Sequence, residues 1–198
     1  MSQLYLIPHI WFIILVWIAL YIGDYYLTIY TAQKITTEMA QHLEFERSFE
    51  LNPFYEGDVN QLRRISPRFI IMLLLTSGFL LLARWITLLL QLPALFDFLA
   101  GEMILLEMSI QLRHLRNLAL IKSYQPGAII GHLRYAYWFG LRLSGWELFS
   151  VSASYLILGI LLGSWFLAGG AVGNFLAGLK HWNRSRKAFR ERDQAGAL

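Results

Sequence analysis

The chain has 198 residues and 22.9 kDa, with 57% hydrophobic and only 15% charged residues and a mean hydropathy of +0.47. A soluble domain of this size carries about 25% charged residues, so this composition excludes disordered, collagen-like and coiled-coil classes and points to lipid as a solvent. There is no cysteine, which excludes disulfides, thiolate metal sites, iron–sulfur clusters and cysteine nucleophiles; the net charge is +4 with a pI near 9.4.

A transmembrane helix needs roughly 20 mostly apolar residues. The first stretch that qualifies runs over about 4–32 and contains an unbroken apolar block from Ile10 to Ile22. It lacks a basic leader and a small-residue cleavage site, so it reads as a retained span and not a signal peptide. The second, about 66–92, opens at Ser66-Pro67, a hydroxyl N-cap followed by proline at the first helical position, and closes at Leu92-Pro93. The third, about 94–112, holds Asp97, Glu102 and Glu107; the fourth, about 147–179, exceeds one crossing and is expected to break at Gly169-Gly170.

The stretch at 33–68 has five basic and six acidic residues, the stretch at 113–146 has five basic and no acidic ones, and the tail at 180–198 has six basic and two acidic. Four spans put the tail and the Pro93 turn on one side and both long connections on the other. Counting Lys and Arg then places the long connections in the cytoplasm, although the dense tail pulls the other way. In the second connection, residues of about 129–145 interleave Arg134 and Arg142 with Tyr135, Tyr137 and Trp138. That pattern predicts an interfacial helix drawn to anionic lipid headgroups. The expected fold is therefore an all-α, four-transmembrane-helix bundle with one interfacial amphipathic helix between the third and fourth spans. It is a single integral-membrane domain over 1–198, multi-pass in the cell membrane.

Ionisable residues at membrane depth each cost about 2.5–3.5 kcal/mol and need a partner or water. Arg84 and Glu102 lie nine residues before and after Pro93, about 13 Å from the turn on antiparallel neighbours. They are expected to meet as an intramembrane ion pair, serving either as a latch or only to let a polar third span insert. Asp24 and Thr28 share a helical stripe with Tyr21 and Thr31; Glu107, Gln111 and His114 form another. Two such stripes opening toward one face suggest a wet cation-binding vestibule, its hard oxygens suited to protons, Mg²⁺, Ca²⁺ or Na⁺, or else groups that are merely solvated at the interface. Past the first span, Glu50 stands two residues before Asn52-Pro53, which reads as an N-cap and first helical residue.

Asp24-x-x-x-Thr28 followed by Glu50-Leu51-Asn52-Pro53 resembles a small, uncharacterised prokaryotic integral-membrane family with an intramembrane Asp and a Glu-x-Asn-Pro motif. The resemblance covers about the first third of the chain. It lends no activity, and it would assign to Arg84 the basic residue that family carries in the following span.

The last span is glycine-rich: Gly159, Gly163, Gly169, Gly170, Gly173 and Gly178. Small residues at four-residue spacing let helix backbones approach, either inside one bundle or at a homo-oligomer seam. No phosphate-binding loop, Gly-x-Ser-x-Gly elbow or kinase signature is present. His9, His114 and His181 sit at helix ends and could ligate haem, although interfacial histidine is commoner there, and the cofactor stays unknown. The basic residues from Arg184 to Arg192 favour anionic lipid over nucleic acid. Three functions stay open: a transporter or channel for protons or small cations using Asp24 and Glu107; a membrane enzyme acting on a lipid headgroup with Asp24, Glu50 and His114; and an assembly subunit without chemistry of its own.

Overall fold

A computed structural model describes residues 10–47, 50–125, 128 and 130–196, and of 195 and 196 the backbone only. The expected start of the first span at 4–9, with His9, residue 129 at the head of the interfacial helix, and the end of the tail lie outside these residues. Among those described, the chain forms α1 (Ile10–Glu38), β1 (Leu43–Phe45), α2 (Glu56–Asn60), α3 (Pro67–Leu89), α4 (Pro93–Ser123), β2 (Leu133–Tyr135), α5 (Tyr137–Leu162) and α6 (Trp165–Gly196). Three of these, α1, α3 and α5, are long and apolar enough to cross a membrane. The fold is helical except for β1 and β2, which pair in parallel with Leu43 opposite Leu133 and Phe45 opposite Tyr135.

Local chemistry sets the breaks. Ser66 is extended (φ −113°, ψ 130°) and Pro67 opens α3, but the Ser66 hydroxyl donates to Asp58 Oδ2 at 2.6 Å and accepts no N–H from the first turn of the helix. The α3–α4 turn places Gln91 at φ +56°, and Pro93 opens α4. Asn52 is not the cap of a helix; its side-chain oxygen accepts from Phe54 N–H at 3.2 Å in a turn, and α2 begins only at Glu56.

The C-terminal half departs most from the sequence expectation. A single helix, α5, includes residues 137–145 of the expected interfacial helix and the first half of the expected fourth span, while 133–135 of that interfacial segment is strand β2. The break falls at Gly163, not at Gly169-Gly170. Gly163 has φ +60°, a left-handed C-cap open to a residue without Cβ. Ser164 N–H then bonds Gly159 O at 2.9 Å, and Ser164 Oγ accepts from Leu167 N–H at 3.3 Å to start α6. Apolar residues flank this turn on both sides, so hydropathy runs through it without a signal.

Helices α1, α4 and α6 run parallel, with α3 and α5 antiparallel to them. Ile13, Ile14 and Trp17 of α1 pack with Leu80 and Ala83 of α3 and Phe96, Ala100 and Ile104 of α4 near the Gln91 turn. Tyr25, Ile29, Ala32, Val59 and Phe69 form a second cluster, and Ile35, Met39 and Ile121 a third under the strand pair. The far face of α3 is bare, with Leu74, Leu75, Leu82, Trp85 and Leu89 exposed. Five long helices, an odd number, return the basic tail to the end that carries β1, β2 and α2. There, Arg184 donates to Leu51 O at 2.9 Å and Ser185 to Trp138 O at 2.7 Å. Every Lys and Arg except Arg84 therefore lies in the half of the bundle that carries the strands, which reverses the tail placement expected from four spans.

Candidate functional site

The two polar stripes do converge at the strand end of the bundle. Because α1 and α4 are parallel, residues 24–28 meet residues 111–114 at one level. His114 Nε2 lies 3.1 Å from Thr28 Oγ1 and 2.8 Å from Asp24 Oδ1, the second contact off the hydrogen-bonding axis. Gln111 is a bracket: its amide donates to Leu20 O at 2.7 Å, packed where Gly23 leaves room. Glu107 is 7% exposed, and its Oε1, Asp24 Oδ1 and His114 Nδ1 are buried without a hydrogen-bond partner. Such atoms are rare in a native interior and are commonly met by an ordered water.

Glu50 comes to this cluster from the loop before α2. Its Oε1 accepts from Asn52 N–H at 2.5 Å. Burial pushes its carboxyl up to about 7, with the charge of Asp24 adding to the rise and the Asn52 N–H, Arg113 and His114 opposing it. Glu50, Asp24 and Thr28 line a void of about 10 Å³ together with Tyr21 and Tyr55, whose hydroxyls are 2.5 Å apart. That volume suits one water molecule. Among the described residues no three His, Asp or Glu side chains come close enough to hold a metal ion.

On the other side of His114 lies a much larger cavity of about 830 Å³. Helix α5 packs on α6 and α6 on α4, while α4 and α5 have no extensive contact of their own, and the wedge between them is the cavity. Its walls are Leu120 of α4, Leu143 and Val151 of α5 and Ile35 of α1, and Phe45, Tyr135 and Tyr137 cover it at the strand end. Polar groups that line it include Glu46, Arg47, Glu50, Arg113, His114 and Ser144. Side chains bridge α4 to α5 across it: Arg116 pairs with Glu147, and Arg113 donates to Ser144 Oγ. Ser144 Oγ also lies 2.9 Å from His181 Nδ1. Nothing in the linear pattern singles out Ser144, because Arg113, Ser144 and His181 come from three helices with no shared motif.

The expected Arg84–Glu102 ion pair does not form. Arg84 lies over the ring of Phe96, 5.2 Å from its centroid, and its charge acts on Asp97. Residues 90–92 form the turn, so the hairpin is centred near Gln91 and not Pro93. Counting from Pro93 shifts the register by about one helical turn. Glu102 faces α6 instead, where a Cβ on Gly173 would come within 2.8 Å of its Cγ.

The glycines are used within the chain. Gly159 lies against Leu167 and Ala168, Gly170 against Leu105 and Gly173 against Glu102, so these three offer no seam to a second copy. Gly163 packs against nothing and serves the turn.

Comparison of the chain with models of protein families, with curated proteins and with solved structures finds no match.

Proposed function

We propose that this is a multi-pass protein of the cell membrane whose five long helices all cross the bilayer, and that the cavity between α4 and α5 takes up an amphiphile with an anionic headgroup. The crowding of Lys and Arg at the strand end supports a cytoplasmic position for that end. The reading of the cavity is carried by Arg113. Among the described residues its guanidinium donates to the neutral hydroxyl of Ser144 on a largely apolar wall, with the Glu50 carboxyl near enough to feel its charge. A cation at that depth is costly without a counter-charge within hydrogen-bond reach. A carboxylate or phosphate headgroup supplies one in the planar geometry that guanidinium prefers. The acyl chain then lies along Leu143, Val151 and Leu120, and the volume falls in the range of small-molecule sites.

Trp146 lines the cavity and reports occupancy. A lysophospholipid brominated along its chain should quench a saturable part of the tryptophan fluorescence of the purified protein. Trp146→Phe should remove that part, and Arg113→Gln should weaken the apparent affinity about 10-fold or more, as expected for a lost charge-assisted contact. Quenching that is unsaturable, or indifferent to both changes, removes the reading.

The Asp24–His114 pair and the buried Glu107 favour a second reading, proton transfer between the water-sized void and the large cavity, with Glu50 lining both. Proton flux into liposomes that falls in Asp24→Asn and Glu107→Gln supports it; flux absent from the wild type removes it.

A further inference from the structure

We propose that Ser144, His181 and Arg113 are a nucleophile, a general base and an oxyanion donor, and that they hydrolyse a carboxylic ester of an amphiphile held in the cavity between α4 and α5. This rests on the cavity being an amphiphile site.

Ser144 is 3% exposed, on α5, and contributes to the cavity wall beside Arg113; His181 of α6 lies behind it, outside the lining. Arginine can only donate, so the N–H from Arg113 occupies a lone pair of Ser144 Oγ. Nδ1 of His181 lies 2.9 Å from the same oxygen, and in the tautomer with the proton on Nε2 it accepts the Ser144 hydroxyl proton. That is the contact a serine needs to lose its proton as it attacks. Close helix approach sets it: a Cβ on Gly145 would lie 3.3 Å from Gly178 O and 3.8 Å from His181 Cβ. The other α5 serines behave differently. Ser150 and Ser154 bond back to the carbonyls four residues earlier, and Ser152 bonds Ala171 O. Ser144 alone among these four bonds an imidazole and a guanidinium.

The chemistry balances without a further reagent except water. Ser144 Oγ bonds to the ester carbonyl carbon as its proton passes to His181 Nδ1, and the oxyanion that forms faces the Arg113 guanidinium. Collapse breaks the bond to the alcohol oxygen, which takes the proton from His181. Water then attacks the acyl-serine, giving its proton to His181, and the carboxylic acid leaves as Ser144 regains its hydrogen. The ester carbonyl of a membrane amphiphile lies just below its headgroup, and Ser144 lies at the corresponding level, near the basic end of the bundle.

The test is an alkyl fluorophosphonate, which phosphonylates activated serines, applied to the purified full-length protein in detergent and followed by intact mass and peptide mapping. One adduct on Ser144 is expected, absent in Ser144→Ala, formed ~100-fold more slowly in His181→Gln and unchanged in Ser152→Ala. No adduct, an adduct on another residue, or an undiminished rate in His181→Gln overturns the proposal. If Ser144→Ala yields no folded protein, the mapped adduct and the His181→Gln rate decide. Protein that still shows the saturable Trp146 quenching but takes no adduct keeps the cavity and loses the dyad; protein that shows neither loses both.

Discussion

The contact between α4 and α6 is tight enough that one methyl group should part the helices. A Cβ on Gly169 would lie 1.8 Å from the carbonyl oxygen of Phe98, 2.7 Å from its carbonyl carbon and 3.0 Å from Glu102 N. Carbon–oxygen contacts in helix interfaces begin near ~3.3 Å, so Gly169→Ala requires a local separation of about 1.5 Å. The opposing atoms are main chain and cannot rotate away. Gaps of 0.5–1 Å already forfeit about a quarter to a half of each dispersion contact along the seam. Overpacking costs about 1–3 kcal/mol, here toward the upper end, and the gain in helix propensity from glycine to alanine returns up to ~1 kcal/mol. A net loss of ~2 kcal/mol lowers the melting temperature by about 4–8 °C for a chain of this size. The matched control is Gly78→Ala in α3, where a Cβ meets nothing within 4 Å and the propensity gain stands alone. Thermal unfolding of both variants in the same detergent, followed by size-exclusion chromatography, makes the comparison. A Gly169→Ala protein as stable as Gly78→Ala would refute the close α4–α6 packing and with it the position of α6.

Two further outcomes follow from the topology and from Glu50. The chain has no cysteine, so single cysteines report sidedness without background. Gln91→Cys in the α3–α4 turn and Arg190→Cys in the basic end of α6 should react with an impermeant maleimide from opposite sides of the membrane; four crossings would put both on the same side. Glu50, held up to about 7 by burial, favours the neutral carboxyl in the folded state. Its contribution is full below the unfolded value near 4.5 and is lost as pH rises to about 7, by up to ~3 kcal/mol. The Glu50→Gln protein should therefore gain stability relative to wild type as pH rises from 4.5 to 7.5 in thermal melts; a difference that is flat across this range would show Glu50 to be solvated.

Ionisable residues at depth were legible because they contradict their surroundings. Asp24, Thr28, Glu107, Gln111 and His114 stand out at helical spacing in apolar sequence, and the structure gathers them between α1 and α4. Glu50 was legible only as a neighbour of Asn52-Pro53, since its inward reach depends on the path of a loop. The Arg84–Glu102 expectation failed because a turn of three residues, with Gln91 in the left-handed region, moves the register by more than a side chain can recover.

Composition and hydropathy by themselves determined that the chain carries helices long and apolar enough to cross a membrane, where three of the helices lie and which polar residues need shelter, because each of those follows from transfer energies that are local to a residue or a window of residues. Only the tertiary structure decided the number of long helices, the end at which the basic tail lies, the use of the glycines and the meeting of Arg113, Ser144 and His181. A left-handed Gly163 inside apolar sequence leaves hydropathy unchanged yet reverses the chain. Contacts among three helices depend on axial register, which a linear pattern does not encode.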